Sequence, residues 1–167
     1  MSKNYFVTIG VIALFVVGLI LLAAPKNSTT GEKALVVGSA GSVLSAAETF
    51  FDFGKISMAD GNVTHAFKVK SSAAEPVKIS KVYTSCMCTT ATISSASGQK
   101  GPFGMPGHGF VPPANVTVGA GEEFEVAAIF NPNAHGPAGV GRNDRTVYVE
   151  TDSGKVLQLN FTALVAP

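Results

Sequence analysis

The run Val63-Thr64-His65-Ala66-Phe67-Lys68-Val69-Lys70 decides the fold. Val63, His65, Phe67 and Val69 fall on one side of an extended chain and Thr64, Ala66, Lys68 and Lys70 on the other, the period of a half-buried strand. The same period returns downstream, where Phe124, Val126, Ala128 and Phe130 alternate with Glu123, Glu125 and Ala127. Val77 and Ile79 open another run after Pro76. Val147 and Val149 lead into the turn signal Asp152-Ser153-Gly154, and Leu157, Leu159, Phe161, Ala163 and Val165 return from it. No helical periodicity interrupts these runs from Thr49 onward. Short strands separated by Gly, Pro and Asn predict an all-β domain, an antiparallel β-sandwich over residues 49–167. A small barrel shares nearly all of these signals.

Outward from that core, residues 26–48 are rich in Ser, Thr, Gly and Ala and read as a linker or stalk. Residues 1–25 read as a membrane anchor. Tyr5 to Ala24 carries no charge and is bounded by Lys3 and by Pro25-Lys26. At about 1.5 Å per residue, a helix of that length reaches roughly 30 Å, the thickness of a bilayer's hydrocarbon core. A cleaved leader would have a shorter apolar stretch and a small residue where Leu22 stands. The expectation is one N-terminal transmembrane helix, with the sandwich on the extracytoplasmic side. The chain's positive mean hydropathy then belongs largely to the anchor.

Of the 167 residues, 12 are Lys or Arg and 11 are Asp or Glu. That balance, with no basic cluster, offers no footprint for neutralising phosphates, so nucleic acid is excluded as a partner.

Several separated motifs then line up. Phe51-Asp52-Phe53-Gly54, His65-Ala66-Phe67, Ser85-Cys86-Met87-Cys88-Thr89, Gly119-Ala120-Gly121-Glu122 and Phe130-Asn131-Pro132 follow one another in that order. The chain from Phe51 to about Val165 therefore resembles a bacterial envelope family of unknown function, whose members read F-D-F-G, H-x-F, S-C-G-C-T, P-G-E and F-x-P. The resemblance implies an immunoglobulin-like sandwich related to Hydin-type and chaperone-like domains, and an envelope location, which with the anchor places the chain at the bacterial inner membrane with the domain in the periplasm. It implies no agreed activity. Two departures stand out: Met87 replaces the glycine between the cysteines, and the Gly/Pro-rich stretch Ser94 to Asn115 is longer than the pattern.

Cys86 and Cys88 are the two cysteines of the chain. In a regular strand, residues two apart lie about 6.6 Å apart on one face, near the upper limit of about 6.8 Å for a disulfide. A mutual disulfide therefore needs a turn. The alternatives are packed thiols, or a pair of soft ligands on one face that clamps Cu(I). Met105 and His108, in Gly104-Met105-Pro106-Gly107-His108-Gly109, are the expected further ligands of a copper site. His65 reads as a residue of the inner face and His135 as solvated in a Gly/Pro loop. Arg142 and Arg145 flank Asn143-Asp144, where a guanidinium could pin the loop through Asp144 or meet an acidic partner. No cysteine has a base and an orienting group beside it in sequence, so no enzyme is expected.

The apolar residues Phe103, Met105 and Phe110 in the long loop suit protein contacts. Gly10 and Gly18 let the anchor helix approach another closely. Together they point to an accessory or scaffolding subunit of a larger membrane complex, without a cofactor; a copper-binding or thiol-redox module is the alternative.

Overall fold

Along β8 (Glu123–Phe130) the four residues expected inward, Phe124, Val126, Ala128 and Phe130, are all buried. In β3 (Val63–Ser71), Phe67 and Val69 are buried while Thr64, Ala66, Lys68 and Lys70 face solvent. The computed structural model describes residues 43–167. The other strands are β1 (Leu44–Ala46), β2 (Phe50–Ser57), β4 (Val77–Thr84), β5 (Thr89–Ser95), β6 (Gly98–Phe103), β7 (Val116–Val118), β9 (Gly141–Thr151) and β10 (Val156–Ala166).

They form two five-stranded sheets, ordered β1-β3-β8-β5-β6 and β2-β10-β9-β4-β7. Within them, β1-β3-β8-β5 and β4-β9-β10 reproduce the A-B-E-D and C-F-G orders of an immunoglobulin-like sandwich. The core between the sheets is held by Phe67, Phe103, Phe130, Phe161, Leu157, Leu159, Ile79 and Ile93, each at most 1% exposed. Removing each such side chain from water contributes about 1.5–3 kcal/mol.

Three expectations need correction. The sheets are not wholly antiparallel, because β2 pairs with β10 in parallel. The sandwich also begins before Thr49: β1 pairs with β3, and Leu44 and Ala46 are buried, so the last stretch of the segment expected as a linker, residues 26–48, belongs to the domain. A strand of three residues is too short to show a period. Finally, the stretch Ser94 to Asn115 is not one loop, since β6 within it forms a hairpin with β5. Five of the six β6 residues are exposed, which is why no apolar alternation announced this edge strand. Its Gly101, at φ +119°, sits where the register shifts; a Cβ there would lie 2.8 Å from the carbonyl oxygen of Ala91.

The expected anchor at Tyr5 to Ala24, with Gly10 and Gly18, lies outside the described residues. Among the described residues no helix is long and apolar enough to cross a membrane.

Candidate thiol and imidazole site

The site forms where β4 passes into β5. A β-bonded chain cannot bring residues two apart much closer than a pleat allows, and here the chain turns instead. The Thr89 amide donates to the Cys86 carbonyl (3.1 Å), and the Thr84 hydroxyl lies 3.0 Å from that carbonyl and 2.9 Å from the carbonyl of Thr89. This turn draws the Cα atoms of Cys86 and Cys88 to 5.3 Å, and the two are joined as a disulfide. Cys88 is buried at 2% exposure, Cys86 is half-buried, and Met87 between them projects outward at 50%.

The neighbouring strand supplies the rest. Thr89 pairs with Phe130 at the end of β8, and the next amide, that of Asn131, donates to the Cys88 carbonyl at 2.8 Å. Asn131 then folds the chain back on itself. Its side-chain oxygen accepts from the Asn133 amide at 2.9 Å and its carbonyl from the Ala134 amide at 3.3 Å, the local turn chemistry that Asn favours. The result places His135 Nε2 3.2 Å from Cys86 Sγ. The ligand atoms of Cys86, Cys88 and His135 all lie within 4.8 Å of one another.

Behind His135 the loop closes tightly. A Cβ on Gly139 would lie 3.3 Å from the Pro132 carbonyl oxygen and 3.4 Å from the His135 Cβ, so this close approach favours glycine. Asn143, buried at 7%, donates through Nδ2 to the carbonyls of Gly139 (2.9 Å) and Gly141 (3.0 Å).

On the inner side stands Arg145. Its Nε donates to Cys88 Sγ at 3.0 Å, its Nη1 to the Asp144 carbonyl at 2.8 Å, and its Nη2 to the Asn143 side-chain oxygen. The guanidinium carbon lies 6.0 Å from the centroid of the Phe130 ring, at the outer reach of a cation–π contact. Burial pulls the Arg145 pKa below its ordinary value, with Asp144 opposing, yet an arginine stays charged. Arg142 instead points outward and holds both carboxylate oxygens of Asp144 at 3.1 Å. The hydrogen bond from Arg142, with a second from Thr162, lowers the Asp144 carboxyl below its ordinary range. Arg142 and Asp144 thus pair within β9 and pin no loop, which Asn143 holds through the Gly139 carbonyl, while Arg145 serves the sulfur.

The sequence-predicted ligands divide. Cys86 and Cys88 come together, but the histidine that meets them is His135, not His108. His108 is exposed on a turn in which its amide donates to the Met105 carbonyl, and Met105 is half-buried in the same turn. His135 escaped the sequence because it lies 49 residues from Cys86, and Arg145 lies 57 from Cys88. A usable signal was the register: if the strand after Cys88 pairs with the strand ending at Phe130, the segment after Phe130 must arrive at the cysteines. Among the expected contact residues, Phe110 is 87% exposed, whereas Phe103 is 1% exposed and belongs to the core. Paired opposite Ala91 on β5, Phe103 points inward.

The remaining motifs support the fold. Asp52 accepts from the Gly54 amide at 2.7 Å, shaping β2. His65 stacks on Phe51 at 3.6 Å between ring centroids and meets Glu48 at 3.0 Å.

The family described as "Protein of unknown function (DUF1573)" matches residues 44–104, less than half of the chain. That segment contains the Cys86-Met87-Cys88 turn but neither His135 nor Arg145. No curated protein matches the sequence. Among solved structures, a protein of unknown function from Porphyromonas gingivalis W83 is similar at 14% identity, with a TM-score of 0.51, over 73% of this chain and 46% of that one. A family 123 glycoside hydrolase from Clostridium perfringens is similar at 8% identity, with a TM-score of 0.50, over 71% of this chain and 23% of that one. The PapD-like domain of human CEP192 aligns at 9% identity over 85% of this chain and 98% of that one, with a TM-score of 0.42. This chain spans less than half the length of the first two, and at such identities the likeness is one of fold.

Proposed function

We propose that this protein is a non-enzymatic metal-binding module that takes up Cu(I) on Cys86, Cys88 and His135 once its disulfide is reduced. One observation carries the reading: two sulfurs and an imidazole nitrogen converge within 4.8 Å. Cu(I) is soft and is satisfied by thiolates with an imidazole. A closed zinc site asks for four ligands. Reduction by a dithiol breaks the S–S bond with two electrons and two protons, and the reductant becomes a disulfide in turn. Each cysteine then gives up its proton as the ion binds. The uncharged stretch Tyr5 to Ala24 supports tethering to the bacterial inner membrane, with the module in the periplasm.

Titration of Cu(I) against the reduced full-length chain in mild detergent, with a chromophoric Cu(I) chelator as competitor, tests the reading. Wild type retains one ion per chain, Cys86→Ser/Cys88→Ser retains none, and His135→Ala binds more weakly. Equal retention by wild type and the double variant would overturn it.

Phe110, at 87% exposure, favours a second role beside the first, in which the loop it crowns docks against a larger membrane complex as an accessory subunit. Gly10 and Gly18 would pack the anchor against the same complex. In that case a defined partner co-purifies with wild type in mild detergent and is lost from Phe110→Ser. A strictly monomeric wild-type chain counts against the role.

A further inference from the structure

We infer that Arg145 selects the ion: it makes the site one for a single monovalent soft cation rather than a divalent one. The inference rests on the copper reading above and concerns a residue that touches no metal. Its warrant is geometric. Arg145 Nε donates to the sulfur of Cys88 at 3.0 Å, and the guanidinium is fixed there by the Asp144 carbonyl, the Asn143 side chain and the Phe130 ring. The cation therefore cannot swing away when an ion arrives.

Charge then decides the outcome. Two thiolates carry two negative charges and the guanidinium returns one positive charge. A monovalent ion brings the assembly to neutrality, whereas a divalent ion leaves a net positive charge beside a cysteine that is 2% exposed. Uncompensated charge in such a place is costly. The Asp144 carboxylate also acts on Arg145 by its charge, but it is paired with Arg142, so the two together add no net charge to the balance. Coordination number points the same way, since three ligands suit Cu(I) and fall short of a closed tetrahedral site. The hydrogen bond also occupies part of the Cys88 sulfur's electron density, which disfavours its bridging to a second ion.

The test measures Cu(I) and Zn(II) affinities for the reduced full-length chain in mild detergent, each against a chromophoric chelator, and compares their ratio across variants. Arg145→Lys keeps the charge, and Arg145→Gln removes it while keeping a donor. The ratio should fall by about tenfold or more in Arg145→Gln, since a unit charge a few ångströms away at a half-buried site is worth on the order of a few kcal/mol. In Arg145→Lys it should stay close to wild type. An unchanged ratio in the Gln variant, or an equal fall in both, would overturn the inference. Wild type binding Zn(II) as tightly as Cu(I) overturns it without any variant, which covers a Gln variant that does not fold. Failure of the copper reading itself looks different: wild type then holds no more Cu(I) than Cys86→Ser/Cys88→Ser.

Discussion

The two ends of β8 are fastened by different chemistry. At the Glu123 end, the carboxylate of Glu122 accepts from the amides of Gly119 (2.6 Å) and Ala96 (3.0 Å), tying two turns together with oxygen and nitrogen alone. At the Phe130 end, the adjoining turns carry two sulfurs and an imidazole, and the start of β9 adds a guanidinium and a buried amide. One strand thus serves as a ruler with a purely structural clasp at one tip and a reactive one at the other. Loops at the ends of a sandwich are where function collects, but the two ends show that loop composition alone does not decide which tip it is. Both are rich in glycine and carry turn-forming side chains. β3 and β5 flank β8 at both ends, so the difference lies in which connecting turn arrives there: the one before β5 at the Phe130 end, the one after it at the Glu123 end.

The largest effect expected is shared by both ends and tests whether they are equal as structure. Phe124 and Phe130 are each at most 3% exposed, so Phe124→Ala and Phe130→Ala should each cost about 3–5 kcal/mol, read from chemical unfolding midpoints. The ends then separate under milder substitution. Phe130→Leu removes the ring beneath Arg145 and should shift the Cu(I) to Zn(II) ratio, while Phe124→Leu should leave it alone. A shift in both variants would mean that the core as a whole, and not the seat of the guanidinium, controls the site.

A smaller effect is confined to the reactive end. Asn143→Ala leaves the carbonyls of Gly139 and Gly141 and one nitrogen of Arg145 without this partner. Loss of a buried hydrogen-bonding group costs about 1–3 kcal/mol, and the His135 loop should loosen with it. Unfolding midpoints report the first effect and weaker Cu(I) retention the second. If stability falls but retention does not, His135 is positioned by Asn131 alone.

How far this contrast could be read from the sequence differs between fold and site. Strands whose inner faces are filled by large apolar side chains declare themselves by period, as β8 in one sheet and β10 in the other show, whereas β5, with Thr89 and Ala91 turned inward, does not. β1, β2 and β6 do not, because a three-residue strand has no period, and edge strands with exposed faces need no apolar alternation. Cys86 and Cys88 are visible as a pair, and the need for a turn between them follows from pleat geometry. The meetings of His135 with Cys86 and of Arg145 with Cys88 are invisible locally, since 49 and 57 residues separate the partners. The resemblance did set F-x-P and S-C-x-C-T in one ordered set, and the pairing of Thr89 with Phe130 is the physical reason those two segments share a sheet end.

The smallest effect belongs to the structural end and has a pH signature. Hydrogen bonds from the amides of Gly119 and then Ala96 hold the Glu122 carboxyl below its ordinary range in the folded chain. A carboxyl whose folded pKa lies below its unfolded value, about 4.3, stabilises the fold above that value. The contribution is lost as pH falls from there through the folded pKa. Glu122→Gln should therefore be less stable than wild type near neutral pH, by under about 1 kcal/mol because solvent screens this group. The gap should close on acidification below about pH 4. Thermal melts of both chains across that window measure it. His135→Ala provides the counterpart at the other end: an exposed imidazole removed from a loop should leave stability within about 0.5 kcal/mol while weakening Cu(I) retention. If instead Glu122→Gln altered retention, the two tips of β8 would be coupled through the strand and the division between clasp and site would not hold.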